Sequence, residues 1–163
     1  MSTDKNLSAA FAGESQANRK YTYFAKQADA EGHAQAAKLF RAAAEAEHLH
    51  AYAELKALGG IKTTAENLKA AIAGETYEFE TMYPEFIKVA KEENNNTAAR
   101  AFHLANEAEK VHADLYQKAL ASLGNNESFE YYLCTVCGHI AEKEAPEKCP
   151  ICGAKAQAYK TVG

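Results

Sequence analysis

FRAAAEAEHLHA (residues 40–51) and FHLANEAEKVHA (residues 102–113) are two versions of one motif, 62 residues apart. Seven of their twelve positions agree: Phe, Ala, Glu, Ala, Glu, His and Ala. Upstream, Ala12-Gly13-Glu14 recurs as Ala73-Gly74-Glu75 at an offset of 61. The chain therefore reads as two copies of a helix hairpin. Each copy carries a Glu on its first helix and a Glu-x-x-His on its second.

The repeat selects between two overlapping spacings in the first motif. Glu47 and His50 are matched by Glu109 and His112, whereas Glu45 is matched by Glu107 and His48 by Lys110. The 45/48 pair is thus expected on the surface. Residues three apart project from one helix face, so Glu47 with His50, and Glu109 with His112, reach one metal centre. A Glu from each of two helices plus a Glu-x-x-His from each of the other two is the di-iron or di-manganese arrangement of ferritin-like bundles.

Glycine and proline mark the helices. Residues 7–31 end at Gly32, residues 34–58 end at Gly59-Gly60, and residues 97–123 end at Gly124. Thr63-Thr64-Ala65-Glu66 is a capping box opening a segment that runs to about Glu93, with Gly74 and Pro84 as its candidate kinks. Asn94-Asn95-Asn96 reads as a loop. Segments of roughly 25 to 30 residues are about 40 Å long, and short connections make neighbours antiparallel, which predicts a four-helix bundle. Each helix puts an ionisable residue on its otherwise apolar stripe: Glu14, Glu47 with His50, Glu75, and Glu109 with His112. Uncompensated carboxylates in a core are very costly, and cations compensate them. Glu78 breaks the symmetry, because its first-half counterpart is Ala17. It is either an extra carboxylate for one metal or a surface residue of the acidic run 75–85.

Beyond Asn125 helical period is lost, and all four cysteines fall there. A boundary near Asn126 divides a helical domain (1–126) from a tail (127–163) too small to be held by an apolar core alone. Cys134-x-x-Cys137 and Cys149-x-x-Cys152, eleven residues apart, form a tetrahedral metal signal. Spacing does not choose between a structural zinc and a single redox iron.

Composition removes other classes. The net charge is −4 with no basic run, against nucleic-acid binding. No apolar stretch approaches the roughly 20 residues of a membrane span. The start, MSTDKN, has no secretory pattern, so a cytoplasmic location is expected.

Taken together, AFAGESQANRKYTYFAK, the two repeat motifs, TAENLKAAIAGETYEFETMYPEF and the YLCTVCGHI…CPICGA module make the chain resemble the rubrerythrins over essentially its full length. The resemblance implies an all-α ferritin-like four-helix bundle plus a small C-terminal rubredoxin-like β/loop domain. It implies a di-iron site held by Glu14, Glu47, Glu75, Glu78, Glu109 and His112, with Glu47 and Glu109 bridging. His50 is the alternate ligand, exchanging with Glu78 as the redox state changes. Tyr21 and Tyr83 match tyrosines near that site; as residues alone they read as core aromatics. The same resemblance favours iron at Cys134, Cys137, Cys149 and Cys152, with zinc as the ion recombinant material can carry instead. The implied activity is reduction of hydrogen peroxide to water in oxidative stress defence. Electrons pass through the thiolate iron from an external NAD(P)H-dependent reductase or a small carrier of rubredoxin type. The implied assembly is a homodimer, head-to-tail or helix-exchanged, with the thiolate iron of one subunit near the di-iron site of another. The competing readings are a ferritin-like ferroxidase, against which the cysteine module argues, and a zinc ribbon that docks a partner.

Overall fold

A computed structural model describes residues 2–125 and 127–162. The chain divides into two compact units, Met1–Lys62 and Thr63–Gly163.

The first unit is a helix hairpin, α1 (Thr3–Ala30) and α2 (Ala34–Ala57). Ser2 caps α1 by accepting the Lys5 N–H, so the helix begins at Thr3, four residues before the expected start at residue 7. The seam between the helices is built from alanine. Ala25, Ala28, Ala37, Ala44 and Ala51 are all buried, so the two backbones approach closely. Asn18 reinforces the seam by donating its Nδ2 to the Ala44 carbonyl at 2.7 Å. Beyond it, the rings of Tyr21, Phe24 and Phe40 meet at centroid distances of 5.6 to 6.2 Å.

The second unit repeats this plan with one interruption. Its first segment is α3 (Thr64–Tyr77), a π-turn (Glu78–Met82) and α4 (Tyr83–Glu92); its second is α5 (Asn96–Ala121). The capping box is formed: Thr63 accepts the Glu66 N–H, and the Glu66 carboxylate accepts the Thr63 N–H at 3.2 Å. Such a cap contributes about 1 kcal/mol. Asn95 caps α5 by accepting the Ala98 N–H at 3.0 Å, so α5 begins one residue before the expected Thr97.

Of the two expected kinks, α3 runs unbroken through Gly74, and the distortion lies just before Pro84. Proline has no N–H to donate, and in an α-helix its ring meets the carbonyl four residues back, here that of Glu80. The wider π-turn relieves both conflicts. It also explains the two offsets of the repeat. Seven residues separate Glu14 from Tyr21, and eight separate Glu75 from Tyr83. The π-turn holds the additional residue, so the offset is 61 before it and 62 after it. Tyr83, Phe86 and Phe102 accordingly rebuild the aromatic triad of the first hairpin, with centroids 5.5 to 6.3 Å apart.

After α5 the chain makes a three-stranded antiparallel sheet, in the order β2 (Ile140–Glu142), β1 (Tyr131–Cys134), β3 (Tyr159–Val162). Leu133 pairs with Ile140 on one side and Lys160 on the other. The sheet adjoins α5, where Lys118 bonds Glu142 at 3.0 Å and Leu68, Leu115, Leu133, Ile140 and Val162 line an apolar groove of about 320 Å³. The boundary expected near Asn126 falls outside the described residues. Among the described residues no helix is long and apolar enough to cross a membrane.

Candidate metal centres

The first hairpin brings Glu14 of α1 to Glu47 and His50 of α2, with one donor atom of each inside a 4.8 Å cluster. The His50 Nδ1 lies 3.0 Å from Glu47 and 3.9 Å from Glu14. The two carboxyls are close enough to share a proton. The hydrogen bond to Glu47 raises the pKa of Glu14, aided by desolvation and by the Glu47 charge. The same bond, with that from His50, lowers the pKa of Glu47.

The second unit gathers the equivalent three: Glu75 of α3 with Glu109 and His112 of α5. The His112 Nδ1 is 2.6 Å from Glu109. Desolvation, then the hydrogen bond and charge of Glu109, push Glu75 up to about 7. Glu109 itself is lowered, chiefly by His112. Glu78 stands outside the compact triad, yet it too is raised, by burial and by the Glu109 charge. Burial, then the charges of Glu78, Glu109 and Glu75, raise the pKa of the Tyr83 hydroxyl. Tyr21 sits in the matching aromatic triad of the first hairpin.

In each triad a carboxyl raised in pKa faces one that is lowered, where a divalent cation would satisfy both, and an imidazole nitrogen completes an O,O,N donor set. That set fits a hard to borderline metal such as iron or manganese. Glu45 and His48 belong to neither triad. Their second-half counterparts, Glu107 and Lys110, form a surface ion pair at 2.6 Å.

The four cysteine sulfurs lie within 4.8 Å of one another. Cys134 and Cys152 are 3.7 Å apart, and Cys137 and Cys149 are 3.6 Å apart. Metal–sulfur bonds of about 2.3 Å in a tetrahedron give edges of about 3.8 Å, whereas a disulfide needs about 2.05 Å. All four thiols are free. Each Cys-x-x-Cys ends in a glycine with left-handed backbone, Gly138 at φ +83 and Gly153 at φ +76. Their N–H groups donate to Cys134 and Cys149 carbonyls at 3.0 Å, closing two matching knuckles. Burial pushes the Cys149 thiol up. The N–H of Cys152, the Tyr159 hydroxyl and the N–H of Ile151 outweigh it and bring the thiol down to about 6. Donors aimed at sulfur favour the thiolate, the form that binds metal.

Three groups here carry no signal in the sequence reading. His139 is buried, and burial first, then the charge of His112, lowers its pKa. Its Nδ1 lies 2.8 Å from the Tyr159 hydroxyl, whose pKa is raised by burial and then by Cys149. With its proton on Nδ1, a neutral His139 would donate to the phenol oxygen and leave the phenol hydrogen free to turn toward Cys149. The third group is the Gly138 carbonyl, which accepts from the His112 Nε2 at 2.9 Å. This bond ties the first cysteine knuckle to the second triad.

Two family models match the chain: "Rubrerythrin" over residues 5–120 and "Rubrerythrin, rubredoxin-like domain" over residues 132–160. Nigerythrin of Nitratidesulfovibrio vulgaris is 40% identical, over 93% of this chain and 82% of its own length. Rubrerythrin of Porphyromonas gingivalis is 39% identical, over 96% of this chain and 88% of its own. Rubrerythrin-2 of Clostridium acetobutylicum is 35% identical, over 94% and 93%. A solved structure of nigerythrin, described as its fully reduced, all-ferrous state, superposes with a TM-score of 0.62 at 37% identity, covering 99% of this chain and 87% of that one.

Proposed function

The chain belongs to the rubrerythrin family, in the ferritin-like four-helix class with a rubredoxin-like C-terminal module, and from that premise we propose that it is a peroxidase reducing hydrogen peroxide to water. We assign Glu14, Glu47, Glu75, Glu78, Glu109 and His112, with His50 as alternate ligand, to two irons, and Cys134, Cys137, Cys149 and Cys152 to a third. The description of the similar nigerythrin as all ferrous supports iron at these positions.

When bound, the irons supply Lewis acidity and the two electrons that peroxide reduction consumes. The protein's residues supply the rest. Glu47 and Glu109, held anionic by their histidines, present carboxylates toward the metal positions. Glu78, raised in pKa and outside the compact triad, is placed to join or leave as charge demands; an anionic ligand suits the higher charge of oxidised iron better than neutral His50 does. Tyr83, whose hydroxyl feels the charges of three carboxylates, is proposed to hydrogen-bond a ligand and orient peroxide, with Tyr21 as its first-half counterpart. The cysteine module is proposed to return electrons singly from an external NAD(P)H-dependent reductase or small carrier. The active form is proposed to be a homodimer.

The observation that carries this reading is the joining of two metal-type sites in one chain: Cys137 is covalently next to Gly138, whose carbonyl bonds His112. A ferroxidase has no use for such a relay. The test is stopped-flow mixing of fully reduced protein with stoichiometric peroxide. Oxidation of both iron centres within seconds is expected; if both stayed reduced, the proposal would be wrong.

A further inference from the structure

The two histidines that the repeat makes equivalent differ in what holds them. His50 and His112 each turn Nδ1 toward the Glu three residues back, at 3.0 Å and 2.6 Å. The far nitrogen of His112 is fixed by the Gly138 carbonyl at 2.9 Å. Among the described residues the far nitrogen of His50 has no such partner, and its side chain is 59% exposed, against 19% for His112.

From this asymmetry we propose that the cysteine module is the clamp of the bundle site: its first knuckle sets the tautomer and orientation of His112, and loading the four cysteines thereby strengthens metal binding at Glu75, Glu109 and His112. The proposal rests on the assignment of those residues as ligands made above. A carbonyl accepts but never donates, so Gly138 keeps a hydrogen on Nε2, and the hydrogen that a metal displaces is the one on Nδ1 that faces Glu109. An imidazole fixed in this way loses less freedom on binding and is a better base, and such partners change metal affinity about 10- to 100-fold.

The carbonyl's own position is set by the knuckle. Gly138 N–H donates to Cys134 at 3.0 Å, and Cys134 N–H donates to the His139 carbonyl at 2.8 Å. Gly138 has φ +83, a conformation that other residues resist, and the position of its absent Cβ lies 3.9 Å from the Ala108 Cβ on α5. A knuckle so placed is rigid when its cysteines share a metal and loose when they do not. His50, with no clamp, is the histidine free to leave its metal.

The test uses full-length protein with zinc in the cysteine module and cobalt(II) titrated into the bundle. The paramagnetically shifted imidazole N–H signals are assigned with His50→Ala and His112→Ala. The His112 N–H should exchange with solvent at least tenfold more slowly than that of His50. In Cys137→Ser that protection should be lost, and cobalt affinity at the His112 site should fall about 10-fold or more, with helical circular dichroism retained. The exchange comparison within the unaltered protein decides the matter even if Cys137→Ser does not fold. Equal exchange of the two N–H groups, or unchanged cobalt affinity in folded Cys137→Ser, overturns the proposal. If cobalt does not bind at these residues at all, the failure is that of the ligand assignment instead.

Discussion

Glu75 and Glu109, on facing helices of the second unit, hold one proton between them, with Glu75 pushed up to about 7 and Glu109 lowered. A metal entering the triad must displace that proton. Below about pH 7, metal binding should therefore release a proton that it does not release at pH 8. Calorimetry in buffers of different ionisation heat measures this directly, and Glu75→Gln should remove the carboxyl's share of the difference and leave that of His112, whose pKa is raised by its bond to Glu109. The same shift has a stability sign. A raised carboxylate pKa means that the folded, metal-free protein binds more protons than the unfolded chain between the ordinary carboxylate value of 4.5 and about 7. This contribution is intact at low pH and is lost as pH rises through 7. The lowered Glu47 and Glu109 act oppositely, losing their contribution as pH falls toward their own range.

The π-turn makes a second prediction. Deleting Glu80 and replacing Pro84 by Thr, the residue at the equivalent first-half position 22, restores the seven-residue spacing from Glu to Tyr. A continuous α-helix should result, with Glu75 and Tyr83 still on one face and Glu78 brought one residue nearer to Tyr83, which changes how the two face each other. Helical circular dichroism should be nearly unchanged. Oxidation by peroxide should slow about 10- to 100-fold, the range for losing a residue that orients or completes a metal site. An unchanged rate would remove Glu78 and its π-turn from the mechanism.

Much of this was legible in the sequence for a physical reason. Glu47, His50, Glu109 and His112 belong to a repeated pattern on regular helices, where spacing alone fixes which side chains share a face. The paired cysteines likewise fix a tetrahedron through local turns. The slip from offset 61 to 62 was equally visible, but a one-residue insertion inside a helix does not announce whether it forms a kink at Gly74, a kink at Pro84 or a π-turn. Gly138 and His139 were silent because their partners, His112 and Tyr159, are 26 and 20 residues away and meet them only through tertiary packing. A backbone carbonyl, moreover, leaves no trace in residue type.

The repeat also predicts which neighbours do not matter. Glu107 and Lys110 make an exposed ion pair, and Glu45 and His48 occupy its equivalent positions outside the triad. Exposed pairs contribute about 0 to 1 kcal/mol. Glu45→Gln combined with His48→Lys should leave iron content and peroxide turnover within about twofold and stability within about 0.5 kcal/mol. A lost iron equivalent by metal analysis would show that the wrong Glu-x-x-His had been chosen.

Tyr159 offers a prediction at the cysteine site. Its hydroxyl stands 2.8 Å from the His139 Nδ1 and helps to lower the pKa of Cys149, as a donor to that sulfur does. Hydrogen bonds to sulfur draw electron density from the thiolate and favour the reduced state of a bound iron. Tyr159→Phe removes the donor while keeping the ring that packs edge-on to His139 at a centroid distance of 6.0 Å. The iron-replete protein should stay red, since all four sulfurs remain, but its midpoint potential should fall by roughly tens of millivolts. Redox titration followed in the visible spectrum measures the shift. Zinc-loaded protein is the control, being colourless and silent in the same window. A potential that stays in place would mean that the hydroxyl serves His139 rather than Cys149, and His139→Gln would then be the variant to lose stability.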